Sequence, residues 1–295
     1  MSENFADLEF DAASEEVQSI YADAKRALRV SNEPWLFRIL GSHPKFLDVA
    51  WIAIKPILTD MFESSADGIR EKAMEIVSES LPGVNARESL KTAGIAEGEI
   101  DKISENALVF HYVNPKLALL SSALSDSLAG KPPAVTSKVV MPTGRGIPPG
   151  MPCADRADVS SVPQALNEYA ASFSLATVPD LYLNFAKSPH VLKALWDALK
   201  EGLEGGAYQL AHTSIQSEIG EATKLLRRRM DLGAGNLSAH GIELAEQTEI
   251  RKKIDAAKAV YLRSVGDAAY VALSLAGPEA ANLTGEGFML RWQFP

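Results

Sequence analysis

The chain has 295 residues, enough for one large domain or two ordinary ones, and 46% of them are hydrophobic at a mean hydropathy of −0.03, which suits a globular protein with an ample core. A formal net charge of −9 argues against nucleic acid or an anionic membrane surface as partner, though not against a small anion held at a local site. A single cysteine, Cys153, rules out an internal disulfide; with no long apolar run and no apolar stretch in MSENFADLEF, a cytoplasmic protein without signal peptide or membrane span is expected.

In chain order, residues 1–14 read as a frayed tail. Over 15–30, Val17, Ile20, Tyr21, Ala24 and Leu28 recur at three and four, the pattern of an amphipathic helix. Pro34 suits the first turn of a short helix and Pro44 the first turn of the next, which runs through Trp51 toward Glu63 with Pro56 as a kink. Residues 66–80, 86–93 and 97–112 are helical; Asn114-Pro115 then interrupts the chain, and 116–129 resumes. No convincing alternating strand occurs in this half.

Residues 131–154 carry six prolines, too many for a helix interior or a central strand, and read as a linker. At roughly 3.3 Å per residue such a segment can cross the whole molecule. Beyond it, Val162, Ala165, Leu166, Tyr169, Phe173 and Leu175 repeat the first amphipathic helix, and Pro179 and Pro189 start two more. Residues 207–230 form a long helix whose closing Arg227-Arg228-Arg229 complements the helix dipole. Residues 243–276 are helical again, and the tail GFMLRWQFP docks on the surface.

The two halves echo each other without a gap. Laying EPWLFRILGSHPKFLDVAW (33–51) on VPDLYLNFAKSPHVLKALW (178–196) matches Pro34 with Pro179, Leu36 with Leu181, Phe37 with Tyr182, Pro44 with Pro189 and Trp51 with Trp196. The expected architecture is therefore all-α, with two tandem helical repeats (1–130 and 156–295) packed as a pseudo-dimer and joined by the proline-rich loop 131–155. Agreement between copies marks packing, and sharp disagreement marks candidates for function. The sharpest is Trp35 against Asp180.

Several chemistries lack their motifs: there is no GxGxxG, Walker A, HExxH, CxxC or GxSxG. His43, His111, His190, His212 and His240 lack metal-ligand spacing, so no metal and no cofactor is expected. Asp180 reads either as a first-turn carboxylate favoured by the helix dipole or as a general base facing a seam between the repeats. Asn114 reads either as an ordinary Asn-Pro turn or as an inward-turned amide. Thr59 and Glu63, at i and i+4, share a helix face, as a surface pair or as part of a pocket. Tyr261, in AVYLRSVGD, reads as core with a hydroxyl free to reach a pocket.

EPW…HPKFLDVAW, YVNPKLALLSSALS, GRGIPPGM, the segment bearing Asp180 and VYLRSVGD stand in an order that resembles the group I 2-haloacid dehalogenases, the all-helical DehI family. The resemblance covers most of the chain. It implies hydrolytic displacement of halide from a short 2-halocarboxylic acid without a covalent ester, giving the 2-hydroxy acid with inverted configuration. It also implies that Asp180 activates the attacking water and that Asn114 holds it. Thr59, Glu63, Trp35, Val178, Pro179 and Tyr261 would surround the substrate. Val178-Pro179 departs from the small or hydroxyl residues expected in members accepting both enantiomers, which leaves the stereochemical preference open. Pairing into a homodimer is also open. The rival readings are a non-catalytic helical protein that binds a small carboxylate, and a hydrolase of another 2-substituted acid.

Overall fold

The computed structural model describes residues 7–28, 30, 33–58, 60–81, 83–131, 164–226 and 230–281. Among these there are helices and no strand. The first half comprises α1 (Glu15–Leu28), α2 (Trp35–Gly41), α3 (Pro44–Ile54), a 3-10 turn (Lys55–Ile57), α4 (Asp60–Ser80), α5 (Ala86–Thr92) and α6 (Glu97–Leu128). The second comprises α7 (Gln164–Ser172), α8 (Asp180–Phe185), α9 (Pro189–Glu204), α10 (Gly206–Leu226), α11 (Ala234–Ala239) and α12 (Leu244–Ala281). Thr59, the linker with Cys153, Arg227-Arg228-Arg229 and the tail GFMLRWQFP lie outside the described residues.

The start signals act as expected. Pro44 and Pro189 each occupy the first turn of their helix, where the missing N–H would have had no partner. Asn85 caps α5, its side-chain oxygen accepting from Glu88 N at 3.1 Å. Gly94 (φ 82°) and Gly241 (φ 72°) close α5 and α11 in the left-handed region, and each is followed by an isoleucine whose N–H returns to the helix: Ile95 to Leu90 O at 3.0 Å, Ile242 to Leu237 O at 3.1 Å.

Two expectations are corrected. Asn114-Pro115 does not interrupt its helix, because α6 runs unbroken through Pro115. An interior proline costs roughly 3 kcal/mol, but every residue from 107 to 125 is buried. At about 1.5–3 kcal/mol for each large apolar side chain buried, packing outweighs that local penalty. Pro56, by contrast, ends α3 rather than kinking it: the helix stops at Ile54, turns through Lys55–Ile57 and begins anew at Asp60. Glu63 thus stands in the first turn of α4. In α12 the backbone breaks at Gly277 (φ 79°, ψ 168°), close to the expected end of that helix.

α6 and α12 pack along each other as the central pair, and α4 and α10 each lie against both. The short helix α2 packs on α12, and its counterpart α8 packs on α6. Pro34 (φ −59°, ψ 140°) and Pro179 (φ −55°, ψ 142°) lead into α2 and α8 with nearly the same backbone, as do His43 and Ser188 into α3 and α9. Phe37 meets Trp51 edge-on at 5.8 Å and 77°, and Tyr182 meets Trp196 at 6.1 Å and 86°. Among the described residues no helix is long and apolar enough to cross a membrane.

Candidate active site

Asp180 is the first residue of α8 and is half-buried, while Val178 and Pro179 just before it are buried. Pro179 has no side-chain oxygen to cap the helix, so the carboxylate at Asp180 is the negative charge at this N-terminus. At the matching place, Trp35 opens α2 with 3% of its surface exposed. Its ring lies 6.3 Å from that of Tyr261 on α12, tilted by 56°. The Tyr261 hydroxyl accepts the N–H of Leu36 at 3.1 Å, satisfying one of the donors that a helix start leaves over. Tyr261 is therefore core, as expected, but its hydroxyl is engaged by the backbone of α2.

Asn114 is 3% exposed on α6, and its Nδ2 donates to the carbonyl of Ser264 on α12 at 3.1 Å. Ser264 is one turn from Tyr261, so Asn114 and the Trp35–Tyr261 pair meet the same stretch of α12. The donated Nδ2 fixes the amide plane and leaves Oδ1 as its acceptor.

Glu63 is not a surface group. At 7% exposed it takes the Nζ of Lys116 at 2.9 Å and the hydroxyl of Tyr112 at 3.2 Å. Lys116 is 1% exposed, also donates to Leu28 O at 2.9 Å, and sits 4.3 Å over the Tyr112 ring. Tyr112 and Lys116 share one face of α6, and Asn114 between them in sequence faces the other way. Glu63 therefore binds the helix that carries Asn114 from its opposite side. Thr59 lies outside the described residues.

Sequence reasoning missed a buried polar cluster on α12. Asp267 on α12 has 0% exposure; it accepts the Tyr169 hydroxyl at 2.5 Å and the Tyr208 hydroxyl, and Arg263 Nε lies 3.1 Å away. Arg263 also donates from Nε to the Tyr169 hydroxyl at 2.6 Å and from Nη2 to Leu203 O at 2.8 Å. Burial, reinforced by the Asp267 charge, pushes the Tyr169, Tyr182 and Tyr208 hydroxyls well above their ordinary range. The available signal was an Arg and an Asp four apart in an otherwise apolar helix segment, VYLRSVGDAAYV. His111, one of the histidines without metal-ligand spacing, is also part of the interior. It is fully buried on α6, and burial, reinforced by Arg70, pushes its imidazole down to about 3. Among the described residues no group of three or more His, Cys, Asp or Glu side chains could hold a metal ion.

This all-α arrangement is the fold of the solved D-2-haloacid dehalogenases. A complex of such an enzyme with L-LA superposes with a TM-score of 0.83 at 19% identity, covering 92% of this chain and 96% of that one. A mutant complexed with D-2-CPA gives 0.80 at 20%, covering 92% and 95%. By sequence, the family described as halocarboxylic acid dehydrogenase DehI matches residues 32–147. The chain is related to a configuration-inverting 2-haloacid dehalogenase of Alcaligenes xylosoxydans xylosoxydans, 32% identical over 196 residues, or 62% of this chain and 64% of that protein. A second, from Pseudomonas sp. (strain 113), is 33% identical over 132 residues, 43% of this chain and 41% of that one. An (R)-2-haloacid dehalogenase of Pseudomonas putida is 22% identical over 255 residues, 81% and 82% of the two chains. The chain thus spans less than two thirds of the length of the first two relatives.

Proposed function

We propose that this protein is a cytoplasmic 2-haloacid dehalogenase that replaces the halogen of a short 2-halocarboxylic acid by hydroxyl, with inversion at C2. The observation that carries this reading is its relationship to configuration-inverting 2-haloacid dehalogenases. Asp180 takes one proton of a water whose oxygen attacks C2 from the side opposite the carbon–halogen bond. The bonding pair leaves with the halide, and the half-buried Asp180 returns its proton to solvent. Asn114 Oδ1 accepts a hydrogen bond from the O–H that the water keeps. Holding the water in line removes the entropy of finding it, an effect on the order of several kcal/mol. Trp35, Val178, Pro179 and Tyr261 wall the pocket for the apolar halogen, and Glu63 supports α6 from behind.

We further propose that 1–130 and 156–295 are two copies of one unit joined by 131–155. The matched proline geometry, the paired edge-on aromatic contacts and the two glycine turns support it. Under that repeat Asp180 is the counterpart of Trp35. Counting from the glycine turns, Asn114 is the counterpart of Tyr261. Trp35 and Tyr261 touch, and α8 packs on α6 as α2 packs on α12, which supports an Asp180–Asn114 partnership. An asparagine reaches roughly 3 Å less far than a tyrosine hydroxyl, about one hydrogen-bond length, so the polar pair has room for a water where the aromatic pair closes up.

The test is halide release from D- and L-2-chloropropionate, incubated separately with the protein and with its Asp180→Asn form. Release from at least one enantiomer, abolished in Asp180→Asn while the fold persists, is expected. Near-full release by Asp180→Asn would remove Asp180 from the mechanism. No release by the folded protein from either acid would favour the carboxylate-binding reading.

A further inference from the structure

Arg263 leaves something over. Its Nε and Nη2 are engaged, its guanidinium is stacked 3.8 Å from the Phe173 ring and 4.0 Å from the Tyr208 ring, and it is 1% exposed. Yet Nη1 is buried and makes no hydrogen bond among the described residues. Its counterpart by position, Lys116, donates to both Leu28 O and Glu63. A buried donor without acceptor is uncommon and marks a place where something else binds.

Arg263 lines a groove of about 480 Å³ between α7, α10 and α12. His212, on α10, lines the same groove and stacks at 6.3 Å on Tyr208. Its Nε2 faces Gln216 Nε2 at 2.9 Å. An amide N–H can only donate, so that contact leaves the imidazole proton on Nδ1, and Nδ1 too is buried without a partner among the described residues. Burial, with the Arg263 charge behind it, holds His212 down to about 4, so it is neutral near pH 7 and Nδ1–H is a donor. Two unanswered donors therefore belong to one groove. Phe173, Leu175 and Leu262 give it apolar wall, with Lys258 and Asp255 among its charged lining residues. Tyr261 and Arg263 are two residues apart on a helix and point to opposite sides, so this groove is separate from the Trp35–Tyr261 contact.

We propose that this groove is a second binding site, for a small aliphatic carboxylate, which takes one oxygen on Arg263 Nη1 and the other on His212 Nδ1 with its short chain on Phe173 and Leu175. Asp267 already balances the guanidinium charge, so the site works through hydrogen-bond geometry rather than net attraction. Two such bonds to so small a ligand correspond to a Kd on the order of 1 mM. Occupation would let the concentration of a carboxylic acid act on the α7–α10–α12 packing away from Asp180.

The test is histidine-ring 15N NMR of the full chain titrated with sodium acetate at pH 7, with sodium chloride at matched ionic strength as control. The His212 signal should move saturably with acetate and not with chloride. Gln209→Glu places a negative charge at the groove without touching the Asp180 site. It should weaken the acetate response about tenfold while halide release from 2-chloropropionate is unchanged. An unmoved His212 signal at 100-fold the expected Kd, an equal response to chloride, or an undiminished response in Gln209→Glu would each overturn the proposal. Because acetate carries no halogen, these outcomes are independent of whether the chain dehalogenates.

Discussion

Replacing Asp267 by asparagine tests how much the buried cluster contributes. Asparagine keeps the shape but removes the charge, in a place with 0% exposure that two tyrosine hydroxyls and Arg263 all face. The Arg263 guanidinium, 1% exposed, would keep its charge with no anion beside it. Breaking a buried pair from one side typically costs about 3–5 kcal/mol. For a chain of this size each kcal/mol moves the midpoint by roughly 2 °C, so a Tm lowered by about 6–10 °C is expected. Lys193–Asp197 is the internal control: the same i,i+4 spacing on α9 with a contact of 2.5 Å, but with side chains 75% and 59% exposed. Asp197→Asn should change stability by no more than about 0.5 kcal/mol. Thermal and urea unfolding followed by circular dichroism would measure both. Arg263→Met combined with Asp267→Leu should lose less than the two single changes added together, because neither leaves a charge behind. A loss below about 1 kcal/mol in Asp267→Asn, or strict additivity in the double variant, would refute the reasoning.

Tyr261→Phe removes the acceptor of Leu36 N–H and should cost about 1–3 kcal/mol in urea unfolding; an unchanged midpoint would mean that water replaces the hydroxyl. His111 is held near 3 in the folded chain and titrates near 6.5 when unfolded. The unfolded state therefore gains a proton first, and stability falls as pH drops from about 6.5 toward 3. By pH 5 the loss from this group is about 2 kcal/mol, and His111→Leu should remove that share of the slope between pH 7 and 5. Tyr169, Tyr182 and Tyr208 carry raised values, so they stay neutral in the folded state while unfolded tyrosines ionise above about pH 10. Stability should fall as pH rises beyond that, by roughly 4 kcal/mol at pH 11 for the three together. Tyrosinate absorbance should then appear with unfolding, not before it.

The helix starts could be read in the sequence because they depend on local chemistry: a proline at a first turn and a glycine at a last one act the same in any surroundings. Pro115 could not, because its effect depends on what surrounds α6, and burial from 107 to 125 overrides its local preference. The choice between surface and pocket for Glu63 could not be made from the sequence for the same reason. Its partner Lys116 lies 53 positions away in sequence, and nothing in TDMFES announces it. Asp180 stood out only through comparison with Trp35. The Arg263–Asp267 spacing was visible, but the tyrosines that make it a buried cluster come from α7 and α10, which only the fold brings to α12.

The proposed repeat also bears on why one chain would carry one reactive carboxylate. Two identical units would place an aspartate at the start of both α2 and α8. Asn114 bonds the carbonyl of Ser264, one turn from Tyr261, so Asn114 meets the stretch of α12 that carries Tyr261, and the proposed repeat would bring Asp180 there as well. On the proposed function, two carboxylates there would both face an anionic substrate. At an effective dielectric near 20, like charges about 4 Å apart repel by about 4 kcal/mol. Each carboxylate would also favour the protonated form of the other, which is useless as a base. On the proposed function, Trp in place of Asp at one copy would remove that repulsion and supply an apolar wall for the halogen. Tyrosine in place of asparagine at the matching position of the other copy lets the hydroxyl reach Leu36 N–H and would close the gap that an Asp180–Asn114 pair would keep for water. On the proposed repeat, the divergence of the copies at these two positions would thus be coupled: either change alone would leave an unneeded charge or an unanswered helix-start N–H.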